Sequence, residues 1–394
     1  MDMKKLIYMD NAATTPVKSE VLEEMLPYFS EMYGNPSSIY SLGSHSKVAV
    51  EEAREKIGKA IGANPKEIFF TAGGSEADNW ALKGIAYRNR DKGNHIITTK
   101  IEHHGVLHTC EYLEKQGFEV TYLDVDEYGI IDLNQLKKSI TDETILISIM
   151  FANNEIGTIQ PIKEIGEIAK EKNIYFHTDA VQAIGHINID VEELNIDLLS
   201  MAAHKFYGPK GIGALYIRRG VKIDPLISGG AQERNRRAGT ENVPGIVGMG
   251  KAIELAYENL DENNRKLIKL RDSLIKKIFD NIDHVKLNGH PTKRLPGNVN
   301  LSFEFIEGES LLLSLDMEGI AASSGSACTS GTLDPSHVLL AIGLPHEIAH
   351  GSLRLSLGDF NTEDEVDFVV EKLVEIVARL RAMSPLYERV KEEK

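Results

Sequence analysis

Between Lys66 and Arg218, short β-rich runs alternate with helix-patterned stretches, and this rhythm restricts the possible folds more than any other feature of the chain. The runs are Ile68 to Thr71, His95 to Thr99, Val120 to Leu123, Thr144 to Met150, Ile174 to Thr178, Leu198 to Ala202 and Gly213 to Ile217. Such alternation predicts a mainly parallel sheet covered by helices, an α/β fold. At 394 residues the chain exceeds what one hydrophobic core usually serves, so a second, smaller unit is expected. Val243 to Asp280 reads as long helices leading to it. Val299 to Phe303, Leu311 to Met317, Leu353 to Leu357 and Glu363 to Leu380 then suggest a smaller α+β domain. The expected division is a large domain over 15–260 and a small C-terminal domain over 261–394, with residues 1–14 packing on the small one.

Charge and hydropathy remove several function classes. Forty-four basic against fifty-nine acidic residues leave a net charge of -15, the wrong sign for holding a phosphate polymer, so no nucleic-acid partner is expected. No segment approaches eighteen uninterrupted apolar residues, and the start of the chain lacks the apolar run of a secretion signal, so a soluble cytoplasmic protein without a membrane partner is expected. Cys110 and Cys328 are too few for a disulfide framework.

Two positions at strand ends carry the chemistry. Asp179 follows one apolar strand, in Phe176-His177-Thr178-Asp179-Ala180, and Lys205 follows the next, in Met201-Ala202-Ala203-His204-Lys205. In an open α/β sheet the carboxyl ends of the strands form the binding crevice. A lysine there can form a Schiff base, and an acid there can keep a pyridine nitrogen protonated; the same two residues can also be a buried ion pair. Thr71-Ala72-Gly73-Gly74-Ser75-Glu76-Ala77-Asp78 joins a strand to a helix whose first N–H groups can hold a phosphate, or it is an ordinary helix start with Ser75 as N-cap. His103, in Glu102-His103-His104-Gly105, can stack on a flat ring and move protons near neutral pH, or be structural.

Together with Met9-Asp10-Asn11-Ala12-Ala13-Thr14-Thr15-Pro16, Gly34-Asn35-Pro36-Ser37-Ser38, Ala152-Asn153-Asn154-Glu155-Ile156-Gly157, Ala203-His204-Lys205-Phe206-Tyr207-Gly208-Pro209-Lys210-Gly211, Arg237-Ala238-Gly239-Thr240-Glu241-Asn242 and Ser324-Gly325-Ser326-Ala327-Cys328-Thr329-Ser330, these segments resemble the NifS/IscS-type cysteine desulfurases, class-V aminotransferase relatives within the fold-type-I enzymes that use pyridoxal 5'-phosphate. The resemblance runs nearly end to end. It implies that L-cysteine is converted to L-alanine with the sulfur left on the enzyme as a persulfide, for delivery to an iron–sulfur scaffold protein or another acceptor. It implies Lys205, Cys328 and His103 as catalytic residues, with Lys205 holding the cofactor, Cys328 receiving sulfur and His103 stacking on the ring. Asp179 pairs with the ring nitrogen by the same likeness, Gln182 meets the ring oxygen, and Gly74, Ser75, Ala202, Ala203 and His204 complete the cofactor site. Asn154 lies beside both ring and substrate, and Arg354 clamps the substrate carboxylate. Thr240 reaches the phosphate of a neighbouring subunit, hence a homodimer. No resident metal is implied, although Cys328 could serve as a transient iron–sulfur ligand.

One departure stands out: Ala202 occupies a position where these enzymes commonly carry a serine that contacts the phosphate, which shifts the expected contacts to Ser75, His204 and Thr240. Cys328 lies among small polar residues from Ser323 to Gly331 that offer no apolar face, as suits a sulfur carrier. Cys110, in Val106 to Leu113, reads as helix packing. His346-Glu347-Ile348-Ala349-His350 fits a zinc-peptidase pattern, but Gly351 weakens the helix at once and the longer motif is missing. Gly245 to Ala252 approximates a phosphate-binding loop, but no strand precedes it, which favours helix packing through small residues.

Overall fold

The computed structural model describes residues 6–324 and 335–392. After β1 (Ile7–Tyr8), one sheet contains β2 (Ile68–Thr71), β3 (His95–Thr99), β4 (Glu119–Leu123), β5 (Thr144–Ser148), β6 (Tyr175–Asp179), β7 (Leu198–Ala202) and β8 (Gly213–Ile217), in the order β2-β8-β7-β6-β5-β3-β4. The pairings from β4 through β7 are parallel, and β8 runs antiparallel to both β7 and β2. The mainly parallel sheet expected from the alternation is therefore present. Its inner strands β3, β5, β7 and β8 are buried along their whole length, as strands covered on both faces must be.

Two boundaries differ from the sequence reading. The run from Thr144 to Met150 is strand only to Ser148, because the Glu102 carboxylate takes the Met150 N–H. The next strand begins at Tyr175 rather than Ile174, because Asn173 closes the preceding helix in a left-handed conformation and the Ile174 N–H bonds the Ala169 carbonyl.

The long-helix segment divides into Val243–Glu258 and Leu260–Asn281. The first packs on Ser41–Ala60 at the small residues Ala53 and Gly250, where a Cβ on Gly250 would lie 2.7 Å from that of Ala53. Close helix packing thus accounts for the small residues of the Gly245 to Ala252 stretch. The helix Leu260–Asn281 contributes Leu267, Leu270, Leu274 and Ile278 to a different apolar cluster. That cluster also holds Ile7, Met9, the helix Glu363–Ala382 and a three-stranded antiparallel sheet of β9 (Val285–Leu287), β10 (Asn298–Phe303) and β12 (Ser352–Ser356), in which β10 is central. Between β10 and β12 in sequence, β11 (Ile320–Ala321) pairs in parallel with β1. The N-terminal strand is thereby joined to the cluster, and Asp10 is carried on to a bridge with Ser356.

Candidate active site

The carboxyl edge of the large sheet collects the candidate groups. Asp179 is the last residue of β6, and Lys205 ends the single 3-10 turn Ala203–Lys205 that follows β7. Because β6 and β7 are parallel neighbours, with Asp179 in register with Ser200, both residues emerge at one edge. They line a cavity of about 270 Å³ together with His103, Gly74, Ser75, Asn154, Gln182, Ala202, His204 and Arg354. Ala203 does not line it: that residue is fully buried, and its N–H bonds the Ile212 carbonyl. Thr240 is exposed and lies outside the cavity of its own chain. Cys328 lies outside the described residues.

The N-terminal segment closes one side. Lys205 Nζ donates to the carbonyls of Ala12 at 2.6 Å and Ala13 at 2.7 Å, and Gln182 Nε2 donates to the Ala12 carbonyl at 2.9 Å. The His204 ring is 3.1 Å from Thr14 Oγ1 through Nδ1. Arg354 Nη1 reaches the Asn154 carbonyl at 3.0 Å.

Burial sets the electrostatics. It raises the Asp179 carboxyl to about 6, against the lowering effects of the Val181 N–H, 2.9 Å from Oδ1, and of Lys205. Burial first and Lys205 second lower His103 to about 4. Burial thus favours the neutral His103 ring in this structure; its Nδ1 accepts from the Gly105 N–H at 3.0 Å, so the neutral ring carries its proton on Nε2. His204 is likewise lowered to about 4.

Sequence reading gave Asp78 no role except as a helix-start residue. Its carboxyl lines the cavity, lies wholly buried and titrates well above the ordinary range because of burial and the nearby Asp179. Its Oδ1 has no hydrogen-bond partner among the described residues and lies 3.7 Å from Nε2 of His177, a ring that burial keeps neutral. The available signal was its place in the helix, three residues before Ala81 and one after Ala77 on the apolar side. Asp78, His103 and Asp179 approach closely enough to share a metal ion and are the one such cluster among the described residues, but they belong to this same cavity. His346–His350 is a five-residue helix ending against Gly351, and neither histidine belongs to that cluster.

Ser75 is not an N-cap. The helix Gly74–Arg88 is entered from Gly73, whose φ of 156° lies in the range favouring glycine, and no side chain caps it. A Cβ on Gly74 would lie 2.7 Å from Val181 Cγ2, so this approach excludes a side chain. An opening of about 490 Å³ borders Gly73 to Glu76, His204 and Lys210, placing an uncapped helix start beside the Lys210 ammonium and the His204 ring. Further along, the Arg234 to Gly239 run is not simply a basic loop. Gln232–Asn235 forms a short turn with left-handed backbone at Glu233, Arg234 and Asn235, and Arg237 pairs with Glu76 at 2.9 Å. Cys110 is buried in the helix His104–Glu114 and its thiol is pushed up by that burial, consistent with packing. A wider depression of about 780 Å³ opens at the other end of the strands, around Thr144, Tyr175 and Arg218, away from the carboxyl edge.

Comparison with known proteins places this geometry. The aminotransferase class-V family model matches residues 7–369. The chain belongs to that family. It is 66% identical to "Cysteine desulfurase IscS" of Clostridium botulinum over 397 residues, covering 100% of both chains, which places it with the IscS-type cysteine desulfurases. The solved structure of a "NifS-like protein" superposes with a TM-score of 0.90 at 44% identity, covering 95% of this chain and 100% of the other. "SspA in complex with cysteine" superposes at 0.80 with 40% identity, covering 90% and 100%.

Enzymes of this desulfurase family depend on pyridoxal phosphate. The residues present fit that group: a lysine at the strand end, a buried acid with an unpartnered oxygen beside Asp179 where a cationic ring nitrogen would be stabilised, and an uncapped helix start for a phosphate.

Proposed function

We propose that this protein is a cysteine desulfurase that takes sulfur from L-cysteine, releases L-alanine and supplies sulfur for iron–sulfur cluster assembly. The observation that carries the reading is that Lys205, Asp179, His103 and Arg354 line one cavity at the carboxyl edge of the sheet. Pyridoxal phosphate bound there supplies an electron sink that labilises bonds at the substrate α carbon and, through it, the Cβ–S bond. Lys205 holds the cofactor through Nζ and afterwards moves the α proton. Asp179 would keep the ring nitrogen protonated, and His103 would cover the ring and keep water from that side. Gln182 and Asn154, which line the cavity, would meet the ring oxygen. Gly74, Ser75 and His204, with the backbone of Ala202, hold the phosphate. Arg354 binds the substrate carboxylate as a two-pronged charged partner.

Cys328 is the thiol that attacks the substrate sulfur, becomes the persulfide and passes sulfur to a scaffold protein. Supporting this choice, Cys110 is buried in a helix and its thiol is held un-ionised. We also place the enzyme in the cytoplasm as a homodimer in which Thr240 completes the neighbour's site, with a large domain over 15–260 and a small one over 261–394. The apolar clusters support that division, since Val243–Glu258 and Leu260–Asn281 pack into different ones. The test is a visible absorption band that changes on adding L-cysteine, with alanine formed and, when an added dithiol reductant discharges the persulfide, sulfide formed in equal amount. Absence of the band, or a band indifferent to cysteine, would overturn the reading.

A further inference from the structure

Arg354 is held from behind the cavity. Its Nη2 donates to Asp10 Oδ1 at 2.8 Å and its Nη1 to the Asn154 carbonyl at 3.0 Å, while its buried Nε has no partner among the described residues. The guanidinium lines the cavity, whereas Asp10 does not. The second Asp10 oxygen, Oδ2, accepts from Ser323 Oγ at 2.8 Å. Ser323 and Arg354 also exchange backbone hydrogen bonds, at 2.6 and 3.2 Å. Asp10 is fixed in turn: the Tyr8 hydroxyl donates to its carbonyl at 3.1 Å, and the residue bridges Ser356 at the end of β12.

We infer that Asp10 is a positioning residue for recognition of the substrate carboxylate, setting the plane of the Arg354 guanidinium and tying it to Ser323. This rests on the reading of Arg354 as the carboxylate clamp. An arginine on a flexible stem recognises a planar carboxylate only when its own plane is set, and two fixed partners set that plane before substrate arrives. Asp10 also balances a guanidinium whose side chain is only 4% exposed. Because Asp10 acts through Arg354, its effect is confined to ligands that carry a carboxylate.

The test compares L-cysteine with cysteamine, which has the same amine and thiol but no carboxylate. Both are titrated against the holoenzyme by absorbance, in a Cys328→Ala background that prevents turnover. Asp10→Ala is expected to weaken L-cysteine about tenfold and leave cysteamine within about twofold. Asp10→Asn, which keeps the shape and one acceptor, is expected to recover much of the loss. Asp10→Ala is expected to add little in an Arg354→Gln background, since both changes break one interaction. Equal losses for the two ligands, or independent losses from Asp10→Ala and Arg354→Gln, would overturn the inference. Should Asp10→Ala not fold, Ser323→Ala is expected to show a smaller, still carboxylate-selective loss, and an unselective one overturns the tie to Ser323. If Arg354→Gln itself leaves the preference for L-cysteine intact, the clamp reading fails; if it abolishes the preference and Asp10→Ala does not, only the role of Asp10 fails.

Discussion

Arg54 and Glu233 meet in the interior as a two-pronged ion pair, with Nη1 to Oε2 at 2.9 Å and Nη2 to Oε1 at 2.8 Å, each side chain 4% exposed. Glu233 Oε2 also accepts from the Phe70 N–H at 2.9 Å, and Arg54 Nη1 donates to the Ile68 carbonyl at 2.6 Å. The pair binds Ser41–Ala60, the edge strand β2 and the run leading to Thr240 into one unit. It also holds Glu233, Arg234 and Asn235 in left-handed backbone that non-glycine residues rarely adopt.

Glu233→Ala is therefore expected to cost about 3–5 kcal/mol, because it leaves the buried guanidinium with only the half-exposed Glu51, 3.2 Å from Nε, as a charged partner. Equilibrium denaturant unfolding of the variant measures this. A cost below about 1 kcal/mol would show that water or another acid already balances Arg54.

Lys205 is expected to be the sole covalent cofactor position. Borohydride reduction followed by peptide mass mapping should place the pyridoxyl group on Lys205, with none on Lys210 beside the phosphate opening or on Lys100. Lys205→Ala should abolish alanine formation.

Cys328→Ala is expected to separate binding from sulfur transfer. The variant should retain bound cofactor and its spectral response to cysteine, while alanine and sulfide formation collapse. Cys110→Ala should leave both intact at a modest stability cost. Alanine release by Cys328→Ala at nearly the parent rate would assign the sulfur elsewhere.

Stability of the cofactor-free protein should fall as pH rises toward 8. Glu102 is fully buried and raised to about 8 by burial, against the lowering bonds from Met150 N–H and Thr99. A carboxyl raised on folding contributes stability that is complete below its unfolded value near 4.5 and is lost as pH climbs through about 8. Glu102→Gln should flatten the decline in unfolding free energy between pH 5 and 8. An unchanged slope would exclude Glu102 as its source.

Mixing Lys205→Ala chains with Thr240→Ala chains tests the shared site. Subunit exchange should create heterodimers with one intact site and restore activity above both parents, whereas no recovery would count against a contribution from the partner.

Much of the sheet and the central pair Asp179–Lys205 was legible in the residues, because strand alternation and apolar continuity are local signals that the mainly parallel topology merely obeys. The lysine and the acid follow consecutive strands, so their meeting is nearly a consequence of chain order. What folding alone decided came from distant segments. Asp10, Ser323 and Arg354 join through hydrogen bonds spanning more than three hundred positions, and no periodicity along the chain announces such a contact. Asp78 became a buried acid, and the His103 imidazole was lowered from its ordinary value, because ionisation depends on how much water packing removes. Ala203, one residue from Ala202, turned away from the cavity when its N–H was taken by Ile212. The sequence determined which groups stand at the strand ends; only the tertiary structure decided their partners and charges, since both are set by neighbours that the chain brings together through space.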